Sequence, residues 1–418
     1  MNNFNTLSAI IVLIAPLLVW GPFFPDLIVS LLSLVFLFYV FKYKLFFYFT
    51  KKPVIIFFIF CTYCILVSIF AAKDILLSFE SSLFYFRIGV FSCLIWYLIE
   101  QDKKILKYIY YGLLISFFVL MIDGYIQFFT GTNILDVPMQ SNRISSFFGD
   151  ELILGSYLSR LSPLLFALFI LKEKKKLELY FMILFFIFLS GLILISGERA
   201  AFFLYVLSFI FIIILVKGYV KIKILLSVGS IILIIIIMTS SHHVKNRMLS
   251  DPASTIFKSI FTPGHDSLIR TAFNMFLDKP ILGHGPKMFR VLCKDEKYTT
   301  GDFSCVTHPH NFYVQLLAET GIIGFAFLLS SFIYVSYCAF RQLKSLVLNQ
   351  KRYLTNYQVC LLAGMLITVW PLTTNGNFFH NWLMIVYSLP VGFYLHSIYG
   401  KNKSEVYINQ NYILSYNK

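Results

Sequence analysis

Apolar runs recur twelve times along this chain, near 6–21, 25–41, 53–71, 82–99, 106–128, 152–171, 178–196, 200–216, 222–240, 312–339, 355–372 and 381–398. A helix that crosses a bilayer needs about 20 predominantly apolar residues, and each run comes near that length. The first two are parted only by the turn Gly21–Pro25, the seventh and eighth only by Gly197–Arg199. The pattern predicts an all-α polytopic membrane protein of about twelve transmembrane helices. Polar residues gather in one long stretch, so the chain divides into helices 1–9 over 1–240, a large loop with short helices over 241–311, helices 10–12 over 312–398 and a polar tail over 399–418. Met1–Ser8 carries no Lys or Arg and no small-residue cleavage site follows, so the first run reads as a retained helix rather than a signal peptide.

Basic residues orient these runs. Lys42, Lys44, Lys51 and Lys52 follow the second; Lys103, Lys104 and Lys107 the fourth; Lys172, Lys174, Lys175 and Lys176 the sixth. Lys217, Lys221 and Lys223 follow the eighth; Arg341, Lys344, Lys351 and Arg352 the tenth; Lys401 and Lys403 the last. Every even-numbered run thus ends in a basic cluster, which the positive-inside rule assigns, with both termini, to the cytoplasm. The opposite face then holds 129–151, 241–311 (the large periplasmic loop) and 373–381, and with them seven of the eight histidines; His396 is the exception. Imidazole titrates nearest neutrality, so proton chemistry is expected on that face.

Composition agrees. The 418 residues are 58% hydrophobic and 13% charged, with a mean hydropathy of +0.78, whereas soluble chains are about 45–50% apolar and about 25% charged. The 47 Phe and 26 Tyr suit hydrocarbon and interface respectively. A net charge of +15 could suggest nucleic acid, but the Lys and Arg lie in short loops beside apolar runs, so membrane lipids are the expected partners and nucleic acid is not. Of seven cysteines, five fall within runs, and Cys61-Thr-Tyr-Cys64 reads as small apolar residues in a helix. Cys293 and Cys305 lie in the exported loop, where a disulfide is plausible in an oxidising compartment; spacing alone does not decide whether the sulfurs meet.

Candidate chemistry lies on the exported face. His308-Pro309-His310-Asn311 leads into the tenth run, which puts His310 at or just before a helix start. The positive helix end disfavours imidazolium there. A neutral imidazole suits a general base; the competing reading is a histidine that caps the helix at the interface. Asn311 is placed to cap. Arg199, in Ser196-Gly197-Glu198-Arg199, either faces phosphate oxygens or pairs with nearby acids such as Glu198. Arg270 lies on an amphipathic stretch, Ser267–Leu277, and Asp278–Pro286 then forces a turn whose Gly283-His284-Gly285 is structural rather than a phosphate loop. Arg87 and Arg160 lie inside runs; each is a candidate cavity residue, and Arg160 has Asp150 and Glu151 within reach as alternative partners. No Walker motif, dinucleotide turn, H-E-x-x-H or zinc spacing occurs, so no cofactor or metal is expected. A metal at His308 and His310 would need a further ligand such as His242, His243 or His380.

These segments resemble one family, the bacterial O-antigen ligases and the related O-antigen polymerases. His310-Asn311 followed by Gly321 and Gly324 looks like the ligase signature. Ser196–Ala201 looks like its Ser-Arg segment, Arg270 with Asp278–Gly285 like its Arg segment and following turn, and Arg143–Gly149 like the segment before the sixth run. Together they span about 120–324. The resemblance implies a GT-C-like glycosyltransferase of the bacterial inner membrane, independent of metal and nucleotide. Such an enzyme takes a glycan from undecaprenyl diphosphate and passes it to lipid A–core or, in a polymerase, to a second lipid-linked glycan. It implies His310 as the base, Arg199 and Arg270 as a diphosphate clamp with Arg160 beside them, and His308, Asn311 and Glu198 in support. The His310 signature and the single large loop favour ligase over polymerase. A transporter or flippase would call for paired repeats and midplane ionisable residues; no repeat of 20–50 residues occurs.

Overall fold

The computed structural model describes residues 2–172, 175–250, 263–301 and 303–401. Lys174, Lys403 and the rest of the tail lie outside the described residues, as does part of the long loop. The helices are α1 (Asn2–Leu17), α2 (Phe23–Tyr43), α3 (Lys52–Phe70), α4 (Ile75–Leu83), α5 (Phe86–Gln101), α6 (Lys104–Thr130), α7 (Leu154–Leu171) and α8 (Lys176–Ile195). They continue with α9 (Arg199–Leu215), α10 (Val220–Ser240), α11 (His242–Lys245), α12 (Pro263–Asp278), α13 (Phe289–Leu292), α14 (Phe312–Val347), α15 (Asn356–Thr368) and α16 (Asn381–Tyr399). No strand forms among the described residues; two isolated bridges tie the loop after α6. The chain is an all-α polytopic membrane protein.

Nine helical segments among the described residues are long and apolar enough to cross a membrane, and three shorter apolar ones, Ala9–Trp20, Arg199–Leu215 and Asn356–Thr368, complete the set. Each apolar run of the sequence falls on one of them. A helix satisfies its own backbone groups, which lipid requires. The outward faces are apolar: α10 exposes Ile224, Leu225, Val228, Ile231, Ile232, Ile235 and Ile236, a surface a water-soluble fold would cover. The fourth segment begins at Ile75, seven residues before the apolar run at 82–99. Ser78 and Ser82 make that stretch read as polar, yet both hydroxyls meet Ser68 Oγ at 2.9 Å inside the fold. Asp74 caps the start, its Oδ1 accepting from Leu77 N.

Cross-bonds gather the basic turns at one rim. Lys51 lies over the Phe47 and Tyr399 rings, Lys401 N donates to Glu100, and Gln342 Nε2 donates to the Leu215 carbonyl. At the other rim Arg87 pairs with Asp26 at 2.5 Å and with Ser30 Oγ, while Asn381 Nδ2 reaches the second Asp26 oxygen. Arg87 therefore ties α5, α2 and the start of α16 together.

The tenth apolar run conceals a break. Gly321 has φ +63°, ψ −168° in the middle of α14, a backbone region that is essentially glycine-only. The break frees backbone groups, and the 280–285 turn takes them up. His284 N donates to the Ala318 carbonyl at 3.0 Å, Gly285 N to Glu319 at 2.8 Å, and Ile322 N to Pro280 at 2.8 Å. The Tyr63 hydroxyl donates to the Thr320 carbonyl at 2.8 Å. Gly283 (φ +70°) faces the break so closely that a Cβ would stand 2.5 Å from Glu319 C and Thr320 N. Two glycines thus interlock the long loop with α14. Amphipathic α12 closes over this joint, burying Leu268, Ala272 and Met275 against Met288, Phe289 and Ala318.

Candidate functional site

His310 is the residue before the N-cap of α14, and its backbone stands at φ +55°, a left-handed conformation uncommon for non-glycine residues. Two sets of bonds over-determine it. Asn311 Oδ1 accepts from Tyr313 N and Val314 N, capping the helix, while its Nδ2 donates to the Pro371 and Thr373 carbonyls. The His310 carbonyl accepts from Asn375 N at 2.8 Å. Behind this loop Arg160, 5% exposed, donates to Asn375 Oδ1 at 2.9 Å and to the Ile367 carbonyl, with its guanidinium 4.4 Å from the Tyr387 ring centroid. Arg160 therefore reaches His310 through Asn375, a partner 215 residues away, rather than through Asp150 or Glu151. Gln315 Nε2 bonds both Glu319 and Asn377, bracing the same loop from below.

Three imidazoles meet here. The His308 and His310 rings lie 4.2 Å apart and the His265 and His310 rings 5.3 Å apart, the latter pair edge to face. Burial pushes the His310 pKa down, and the nearby His265 adds to this. Burial pushes His308 further, to about 3, with His310 next in effect and Arg290 and His380 contributing. His308 Nδ1 meets Thr307 Oγ1 at 2.9 Å, and its Nε2 is buried without a hydrogen-bond partner. Both groups are neutral at pH 7. Arg270 lies on α12, about one and a half turns beyond His265; its Nε pairs with Asp266 at 2.7 Å and the side chain is exposed.

Arg199 opens α9, and its Nε donates to the Arg247 carbonyl at 2.8 Å. Glu198 turns the other way: its carboxylate accepts from Gly155 N, Ser156 N and Ser156 Oγ, capping the start of α7. Burial raises its pKa, and those bonds together with Arg143 oppose the rise. Cys293 and Cys305 are bridged, with Cα atoms 5.0 Å apart, and the bridge closes the segment leading into His308. His284 is buried, its Nε2 3.0 Å from the Met275 carbonyl. Among the described residues no group of three or more His, Cys, Asp and Glu is placed to hold a metal ion.

Residues 184–329 match the O-antigen ligase family. The matched stretch holds Arg199, Arg270, His310 and the Gly283–Gly321 interlock, and excludes Arg143, Arg160 and Asn375. It associates the chain with membrane glycosyltransferase-like enzymes of O-antigen ligase and polymerase type, whose substrates are lipid-linked glycans. No curated protein matches the chain.

The sequence does not single out several groups that build this site. Asn375 lies in the polar segment 373–381 and Gln315 at the start of the tenth apolar run, and neither has a local pattern that names its partner. Lys287 and Arg290 lie within electrostatic range of the histidines.

The lowered His310 pKa gives an expected pH profile. A base is lost only as pH falls through its own pKa, and kcat/KM reports the free enzyme. The acid limb of kcat/KM for glycan transfer should therefore be centred below about 6.5, the ordinary histidine value. A limb centred at or above that value would contradict a desolvated His310 as the base.

Proposed function

We propose that this protein transfers a glycan from undecaprenyl diphosphate to a hydroxyl of lipid A–core, without metal or nucleotide. The observation that carries the reading is His310: a neutral imidazole fixed in a left-handed turn at a capped helix start, beside two further histidines. The acceptor oxygen attacks the anomeric carbon while His310 takes its proton. The bond from that carbon to the diphosphate oxygen breaks, and its electron pair leaves with the diphosphate. Arg199 and Arg270 hold the diphosphate and stabilise its growing charge, as preorganised cations do. Arg160 and Asn311 position His310.

A cavity of about 600 Å³ supports a lipid donor. It runs from Lys52 and Tyr399 near the basic rim to Phe312, Phe378 and Tyr387 beneath the histidines, and Phe57, Phe60 and Leu316 line it between. Such a shaft has the shape and apolarity for an isoprenoid tail. The alternative reading, a polymerase, uses the same chemistry with a second lipid-linked glycan as acceptor.

Deletion followed by glycolipid electrophoresis separates the two. Loss of a ligase should leave long glycan on undecaprenyl diphosphate and uncapped lipid A–core. Loss of a polymerase should leave core bearing a single repeat unit. Neither pattern, in a strain shown to make the polysaccharide, would overturn the acceptor assignment.

A further inference from the structure

Large apolar side chains stand exposed in the long loop, and they stand together. Leu277 at the end of α12 and Ile281 and Leu282 in the turn that follows are all exposed, Ile281 by 62%. No charged residue occurs from Pro280 to Pro286, whereas Lys294, Asp295, Glu296 and Lys297 form an exposed charged edge later in the same loop. The two helices to which the turn is bonded are apolar outside as well. Ile322 and Ile323 on α14, and Leu66, Ile69 and Phe70 on α3, are exposed.

The bonds of the turn give its depth. Lys279 Nζ donates to the Ala71 carbonyl at 3.2 Å, at the end of α3 opposite the basic rim. Two residues later the Ile281 carbonyl accepts from the Tyr63 hydroxyl at 3.4 Å. Tyr63 lies eight residues before Ala71, about 12 Å along the helix axis. Counted from Lys52 at the basic rim it lies eleven residues in, about 16 Å, near the middle of a hydrocarbon core about 30 Å thick. The chain thus descends into the span between Lys279 and Ile281, and it rises again towards α13. Its backbone is held there by protein: Gly283 N donates to the Lys279 carbonyl, His284 N to Ala318 and Gly285 N to Glu319, while the Pro280 carbonyl accepts from Ile322 N. Non-helical backbone at membrane depth persists where protein engages it in this way.

We propose that the 280–285 turn is a re-entrant element, and that Leu277, Ile281 and Leu282 face the acyl chains of the leaflet opposite the basic rim. The patch continues the lipid-facing surfaces of α3 and α14, so the occupant that covers those spans covers the turn too. In water the same side chains would form an exposed apolar edge with no compensation. The long loop is then divided. Its 294–297 edge is wetted, and its 277–282 edge is a membrane anchor that seats the interlock with α14.

The test uses the full chain in nanodiscs with a nitroxide on one added cysteine. Five native cysteines are buried and two are bridged, so the unaltered chain is the blank. Access to oxygen, which concentrates in hydrocarbon, is compared with access to a nickel chelate, which stays in water. Glu296→Cys on the charged edge is the water reference, and Ile231→Cys on the outer face of α10 is the lipid reference. Ile281→Cys and Leu282→Cys should give an oxygen-to-nickel ratio several-fold above that at 296 and near that at 231. A ratio as low as at 296 would put the turn in water and overturn the proposal. Little access to either probe would mean that protein, a second copy included, covers the patch, and would overturn it too. Should one labelled chain fail to fold, the other position carries the same readings. An independent measurement is thermal: Ile281→Asp should melt several degrees earlier in nanodiscs, although a polar change at a water-exposed site is usually near neutral. An Ile281→Asp chain that melts with the unaltered one would count against lipid contact as decisively as a low ratio.

Discussion

His310→Ala is expected to lower glycan transfer by about 10²–10⁴-fold, the usual contribution of general acid–base catalysis, with donor binding nearly unchanged. The backbone at 310 complicates a single substitution, because φ is +55° there and alanine does not favour that conformation. His310→Asn resolves the ambiguity: asparagine accepts left-handed backbone readily and has no basic nitrogen. A base lost in both variants predicts equal losses. If folded His310→Asn keeps activity while His310→Ala loses it, the residue serves the turn and not the proton. His308→Ala is the companion control, expected to lose less, since the proposed reading assigns the proton to His310. The measurement is transfer from purified undecaprenyl-diphosphate-linked glycan in liposomes.

The second large effect is mechanical. Gly321→Ala puts a methyl onto the Ile281 carbonyl oxygen and forces alanine into a backbone region that costs of order 1–3 kcal/mol by itself. The bonds between the 280–285 turn and α14 cannot all survive the shift. Expected is a much lower yield of folded protein, or a chain that melts several degrees earlier in detergent and has lost transfer activity. Gly264→Ala, where a Cβ would meet only Phe303 Cβ at 3.9 Å, should match the unaltered chain. A Gly321→Ala protein as stable and active as the unaltered one would mean that α14 can run straight, and the interlock would lose its assigned importance.

These two residues also mark where sequence suffices and where it stops. Helix positions follow from hydropathy because lipid imposes one rule on every span, and each of the twelve runs falls on a helix. His310 and Asn311 are legible because a polar loop ends at Pro309 and an apolar run begins, which fixes a helix start. The break at Gly321 is not legible. Its neighbours are apolar and the run continues through them, while its cause is a turn some 40 residues earlier in the chain. Arg160 shows the same limit: a buried arginine in a span announces a partner, but nothing nearby names Asn375. Glu198 and Arg199 are adjacent and opposite in charge, which suggests a pair; the Glu198 carboxylate instead serves the start of α7, because exposed helix N–H groups compete for it.

The broken helix and the histidine turn differ in when their partners exist. A chain is made from its N-terminus, and its parts fold in that order where they can. Everything that satisfies the freed groups of α14 (Tyr63, Pro280, His284 and Gly285) has been synthesised before residue 318 emerges. His310 is otherwise: Asn375 N, which holds its carbonyl, and Pro371 and Thr373, which hold Asn311, come about 60 residues later. A nascent chain halted after α14 would possess its kink and its capped helix while its imidazole still lacked a fixed address. On the proposed reading of His310 as the base, reactive competence arrives with the last loop translated, so that an unfinished chain in the membrane is structurally advanced and chemically idle.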